Sequence, residues 1–210
     1  MEEENLEEET ENQEETINLQ DQTTELPQEL IDALNNLTFS TIYSTIDIIQ
    51  PILNDDPRFY SAFSDAIIQR SVNKHQFSLL YSQFLQGLDD KYLFSEIRRQ
   101  ACILFTQYIL STDNSRNNYI RSTGISKLIG SFLHSNIIDL RSGRLLLQSL
   151  VSRYNSAKSD RLIRMLEVII DNAGSTFAIS ITDELWDQIN ALKPYEVQLD
   201  EEKSLLPENK

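Results

Sequence analysis

Large apolar residues recur along the chain at three- and four-residue spacing, separated by polar stretches without that rhythm. Leu30, Ile31 and Leu34 follow Pro27, a residue suited to the first helical position. Ile42, Ile46 and Ile49 make a second stripe, which Pro51 disturbs. Asp56-Pro57 reads as a helix start, with the carboxylate as cap and the ring in the first turn. Phe59, Phe63, Ala66 and Ile67 then share a face, and Asn73-Lys74 breaks the helix. Phe77, Leu80, Tyr81, Phe84 and Leu88 form the next stripe, closed near Gly87. A longer helix holds Phe94, Ile97, Ala101, Leu104, Phe105 and Tyr108, and the polar run 111–118 ends it. Three further stripes follow: Ile125, Leu128, Ile129, Phe132 and Leu133; Leu146, Leu147 and Leu150; and Leu162, Met165, Leu166, Ile169 and Ile170. Thr182, before Asp183 and Glu184, predicts the cap of a short last helix limited by Pro194. Phe177, Ile179 and Ile181 alternate with period two, but the run is too short to imply a sheet and reads as an extended link.

These stripes pair into hairpins over 27–53, 57–88, 91–135 and 139–173. The units span 27 to 45 residues, close to the range of known helical repeats, roughly 40–47. No single helix can bury its face alone, so neighbours must stack. The expected fold is therefore all-α: an α-solenoid of antiparallel helix pairs, HEAT-like, with about four hairpins and a short terminal helix. The expected organisation is a disordered acidic tail over 1–25, a repeat domain over 26–195 and a flexible polar tail over 196–210. Residues 1–25 contain only Leu6, Ile17 and Leu19 as large apolar side chains, too few to offset backbone entropy. The start lacks the basic and apolar segments of a signal peptide, and no window approaches 18 consecutive apolar residues. A cytoplasmic protein that does not engage a membrane is expected.

Charge changes this picture only after it is divided. The 210 residues carry a formal charge of −15, which by itself argues against a general nucleic-acid binder. Eleven acids and no base fall within residues 1–25, however. Residues 26–195 are nearly neutral and polarised. Positions 26–97 hold nine acids and four bases, whereas 116–164 hold nine bases and two acids, Asp139 and Asp160. Two readings of the basic half stand side by side. It can meet an anion, such as RNA phosphates or an acidic protein surface; or its cations are a solvated face with helix-end pairing. Arg116, Arg121, Lys127, Arg141 and Arg144 are the candidate partner- or RNA-binding residues. The acidic tail could also fold back over this half and screen it.

Composition narrows the chemistry further. One Cys excludes an internal disulfide, and two His with one Cys are too few for an ordinary His/Cys zinc site. Five Gly speak against phosphate loops and turn-dense all-β folds. His75 and His134 sit at expected helix ends, and Cys102 lies on a buried stripe where packing explains it. Asp55/Asp56 and Asp89/Asp90 precede expected helices, where capping explains them. No catalytic or metal-ligating constellation stands out. The expected protein is not an enzyme and needs no cofactor.

Two core stretches resemble the middle domain of the eukaryotic translation initiation factor 4-gamma scaffold. The first runs from Phe63-Ser64-Asp65-Ala66-Ile67-Ile68 to His75-Gln76-Phe77-Ser78-Leu79-Leu80-Tyr81-Ser82, similar to that family's early helix pair. The second is Ile125-Ser126-Lys127-Leu128-Ile129-Gly130-Ser131-Phe132-Leu133, followed by His134-Ser135-Asn136-Ile137-Ile138; it resembles the family's apolar-Ile-Gly segment and turn. Leu166 to Gly174 falls where the family has a Leu-rich helix ending in Gly. The likeness covers about 57–176, with a looser match over 27–53. Ser131 stands where the family usually has an acid, and the family's last helices are missing or reduced to about 180–193. The resemblance implies HEAT-type repeats and a translation-initiation adaptor. Its partner would be an RNA helicase of the initiation-factor-4A type or another mRNA-bound protein, with RNA as a second contact. The chain is too short for separate cap-binding-partner or poly(A)-partner regions, so a small stand-alone member is expected.

Overall fold

The helix-period stripes fold as antiparallel pairs. The computed structural model describes residues 25–192, so the expected tail over 196–210, and all of the expected tail over 1–25 except Glu25, lie outside the described residues. Four hairpins are formed by α1 (Gln28–Asn35) with α2 (Ile42–Asp55), α3 (Phe59–Asn73) with α4 (Ser78–Leu88), α5 (Lys91–Leu110) with α6 (Arg116–His134), and α7 (Leu140–Ala157) with α8 (Asp160–Ser180). A short α9 (Asp183–Asn190) follows, and a 3-10 turn, His75–Phe77, joins α3 to α4. The fold is all-α, in keeping with stacked helical repeats. No described helix is long and apolar enough to cross a membrane.

The helices stack in two layers. Contacts run α2 to α4 to α6 to α8 on one side, and α3 to α5 to α7 to α9 on the other. The α6–α8 contact is the most extensive, and α6 also meets α3, α4 and α5. The core lies between the layers and holds Phe63, Phe84, Phe105, Phe132, Tyr154 and Phe177. The Phe63 and Phe84 rings meet at 6.4 Å and 55°, a tilted geometry that satisfies their quadrupoles.

Two glycines explain how α6 reaches so many neighbours. A Cβ on Gly130 would lie 2.7 Å from Asn172 Cβ and 2.9 Å from the Ile169 carbonyl oxygen, so α6 and α8 cross with backbones close. This is the close helix crossing that a glycine inside an apolar stripe demands. A Cβ on Gly124 would lie 2.3 Å from the Val72 carbonyl oxygen, giving α6 the same intimacy with α3.

The helix starts follow local chemistry. Asp90 caps α5 by accepting from the Tyr92 and Leu93 amides, at 2.9 and 3.0 Å, and from the Tyr60 hydroxyl. Asp56 accepts from the Arg58 amide at 3.1 Å and holds the Arg58 guanidinium in an ion pair. The Thr182 hydroxyl accepts from the Leu185 amide at 3.4 Å, as its position before two acids predicts.

Two local expectations become specific and one is corrected. Pro51, expected to disturb the second stripe, sits inside α2, which continues to Asp55. Pro51 and Asp47 are exposed, so water can serve the carbonyl that the ring leaves without an N–H. α4 closes near Gly87 as expected: Leu88 is its last residue, and Asp89, with φ 45°, is the left-handed residue that ends it. Residues 177–181 are not an extended link: α8 resumes after a break at Gly174 (φ 79°, ψ 178°) and runs to Ser180. Phe177 is buried there, close to the open face of Gly143, while Ile179 points outward.

Candidate functional site

The two-layer stack sorts its connections onto two edges. The turns within hairpins lie on one edge, and the links between hairpins lie on the other. This decides where each basic side chain falls. Arg116 opens α6 at the first edge, whereas Arg141 and Arg144 open α7 at the second. The 19 residues of α6 separate these edges by about 27 Å. Arg116 and Arg141 are exposed. Arg121 is half-buried and already occupied, donating to the Tyr108 hydroxyl at 2.8 Å and to Gln69 Oε1 at 2.9 Å. Arg144 donates to the Ser180 carbonyl at 3.1 Å, which supports the end of α8. Lys127, midway along α6, lies close enough to His75 to disfavour its protonation. The five candidates therefore do not form one patch.

A different set of cations converges. The 111–115 loop and the turn from α7 to α8 share the first edge, and a cleft of about 500 Å³ opens between them. Arg153, Lys158 and Arg161 line it, with Asp160 the one carboxylate on the lining among the described residues. The loop wall is set by its own polar side chains. Asp113 accepts from the Ser115 amide at 2.7 Å and hydroxyl at 2.9 Å, which holds its carboxyl below the usual range. Ser115 in turn caps α6 through the Asn118 amide. The Asn118 side chain returns to Ser111 Oγ and the Asp113 carbonyl. The polar run 111–118 ends α5 because these groups offer the backbone an alternative to the helix.

Arg161 crosses this wall. Its guanidinium donates to the Tyr108 carbonyl and, at 2.7 Å, to the Ser111 carbonyl, the unsatisfied oxygens at the end of α5. Arg153 reaches the Leu110 carbonyl at 3.4 Å. Arg161 is only 6% exposed. Burial pushes its guanidinium below the usual range; Asp113 opposes that shift and Arg153 adds to it. The Nε groups of both Arg153 and Arg161 are buried without a hydrogen-bond partner. The Lys158 ammonium lies 5.2 Å from the Tyr154 ring centroid. Lys158 itself closes α7 in the left-handed conformation, with φ 48°.

The remaining chemistry-bearing residues are less suggestive. Burial pushes the Cys102 thiol up, the wrong direction for a nucleophile. His75 is pushed down, first by burial and then by Lys127. Tyr60, beside Asp90, is pushed up to about 12 by burial and by that hydrogen bond.

The outer face of α5 presents a second feature. Tyr92, Ile103 and Leu110 are 80%, 47% and 59% exposed. Their spacings of eleven and seven residues return to one helical face within about 20°, with the Arg99–Glu96 ion pair lying between Tyr92 and Ile103 along it. Beside Ile103, a groove of about 340 Å³ separates α3 from α5, bordered by Ile68 and Leu104.

The sequence pattern located the basic half of the chain but not the cleft. Arg153, Lys158 and Arg161 belong to that half, yet their convergence depends on which two turns share an edge. The usable signal was the polar run 111–118 set against the Lys158-Ser159-Asp160 turn, one hairpin later. No protein-family model matches the chain, and no curated protein matches it.

Proposed function

We propose that the chain is a non-enzymatic adaptor of mRNA translation or metabolism, a stacked-helix scaffold that docks an RNA helicase or another mRNA-bound protein. The observation that carries this reading is the set of exposed apolar side chains Tyr92, Ile103 and Leu110 on one face of α5, beside the α3–α5 groove. Aromatic and aliphatic side chains held on a rigid helix are what the centre of a protein–protein contact requires. Repeat stacking supplies that rigidity without any moving part. The kind of partner comes from the resemblance of 63–82 and 125–138 to the initiation factor 4-gamma middle domain.

The test is a binding titration of the full chain with a purified initiation-factor-4A-type helicase, with helicase ATPase measured in parallel. Binding that is lost in the double variant Tyr92→Glu, Ile103→Glu, together with a changed ATPase rate, supports the adaptor reading. Absence of both binding and ATPase change for the unaltered chain removes the helicase from it.

A further inference from the structure

We propose that the cleft between the 111–115 loop and the start of α8 binds an organic phosphate monoester, with the phosphate among Arg153, Lys158 and Arg161 and a planar body against Tyr119. This goes beyond the adaptor reading and rests on a different face of the molecule.

The first reason is unbalanced charge. Among the described residues, three cations line the cleft against one carboxylate, Asp160. Asp113, beside the lining, favours the Arg161 cation and keeps its own negative charge while accepting from Ser115, so the three cations face two carboxylates in all. Arg153 lies close enough to Arg161 to disfavour the Arg161 charge. The carbonyls that hold them at the end of α5 supply only partial negative charge. A phosphate monoester carries roughly −1.5 to −2 at neutral pH, enough to engage more than one of these cations at once. A phosphodiester or a carboxylate carries less.

The second reason is unfinished hydrogen bonding. Arg161 is more than nine-tenths buried, yet its Nε–H has no acceptor, and the Arg153 Nε–H is in the same position. Buried donors are ordinarily paired. A phosphate in the cleft supplies acceptors to Arg153 once its guanidinium turns from the long Leu110 contact, where the fork of donors suits its oxygens, while Arg161 stays on the Tyr108 and Ser111 carbonyls and acts through its charge.

The third reason is room. About 500 Å³ is more than a bare phosphate needs and falls within the range of small-molecule sites, about 300–1,000 Å³. The Tyr119 ring, 42% exposed, borders it with Ile109 and Leu162. A flat apolar body fits that wall, and a nucleoside monophosphate is the plainest molecule with both parts. It can come as a free nucleotide or as the 5′-phosphorylated end of an RNA strand.

Calorimetric titration of the full chain with AMP, adenosine, inorganic phosphate and a short RNA with or without a 5′-phosphate tests this. AMP should bind and adenosine should not. Arg153→Gln and Lys158→Gln should each weaken AMP by about tenfold or more while keeping the helical content and melting temperature of the parent. Tyr119→Ala should weaken AMP but leave inorganic phosphate unchanged. Preference for the 5′-phosphorylated RNA over its hydroxyl form, tighter than AMP, supports the site with a strand end as source; AMP as the tighter ligand supports it with a free nucleotide as source. Arg161→Gln removes contacts to the Tyr108 and Ser111 carbonyls and unsettles the fold, so the other two variants carry the test. No binding of AMP or phosphate at millimolar ligand overturns the proposal, as does AMP binding that both variants leave intact. Equal binding of a phosphotyrosine peptide and AMP keeps the phosphate site but overturns the nucleoside body.

Discussion

At the scale of single residues, two glycines on close helix pairs have opposite tolerance. A Cβ at Gly124 would meet the Val72 backbone oxygen at 2.3 Å, whereas one at Gly87 would meet Ile46 Cδ1 at the same 2.3 Å. A carbonyl within a helix cannot step aside, but the tip of an isoleucine can. Gly124→Ala should therefore cost about 1–3 kcal/mol from overpacking, and Gly87→Ala distinctly less. Denaturant melts of the two variants check this; equal losses would mean that the kind of atom met does not govern the cost. His75 gives a second residue-scale expectation. Burial and, less strongly, Lys127 push its imidazole below the ordinary value near 6.5. The folded state then favours neutral His75, so this contribution to stability is complete above the ordinary value and declines as the pH falls below it. Proton NMR should find the His75 midpoint below 6.5, and Lys127→Ala should raise it only part of the way, because burial remains. A midpoint unmoved by Lys127→Ala would contradict the proximity of the two groups. Neither feature is visible in the sequence, where both glycines read alike and Lys127 is 52 positions from His75.

At the scale of elements, most boundaries are legible because the groups that make them are local. Asp90 and Thr182 accept from amides two or three residues ahead, and a pattern of cap followed by apolar stripe records that directly. The elements hardest to read are those where context overrides a local sign. Pro51 breaks the pattern but not α2, because its missing donor faces outward. Phe177, Ile179 and Ile181 alternate like a strand, yet Phe177 is claimed by the space over Gly143 and the segment stays helical. Gly174 makes this possible by breaking α8 at φ 79° and ψ 178°, a region open almost only to glycine. Gly174→Ala should lower stability by about 1–3 kcal/mol. It should also disturb the fluorescence of Trp186, which donates to the Ala178 carbonyl just beyond the break. An alanine variant with an unchanged melt and unchanged emission would show that α8 can run straight without loss.

At the scale of the whole molecule, the four-hairpin stack was readable and the site was not, for one physical reason. A repeat contacts mainly its neighbours, so periodicity along the chain maps onto order in space. A site on an edge joins turns from different hairpins, and no local pattern states which turns meet. The basic half was visible as composition, but Arg116 and Arg141 went to opposite edges while Arg153, Lys158 and Arg161 came together. The same stacking logic predicts how stability is distributed. α6 is enclosed by α3, α4, α5 and α8, and Ile125, Leu128, Ile129 and Phe132 on it are fully buried. α1 has eight residues and touches chiefly α2, and α9 has eight and touches chiefly α7. A helix held from one side opens without disturbing the rest, whereas α6 opens only when both layers separate. Native-state hydrogen exchange should thus find the α6 amides between Ile125 and Leu133 exchanging only through global unfolding, and those of α1 and α9 exchanging earliest. Ile129→Ala should remove about 2–5 kcal/mol and lower protection across α3 to α8 together, because the methyls it deletes lie where the layers meet. Protection lost only within α6, with α3 and α8 unchanged, would mean that the hairpins open as independent units.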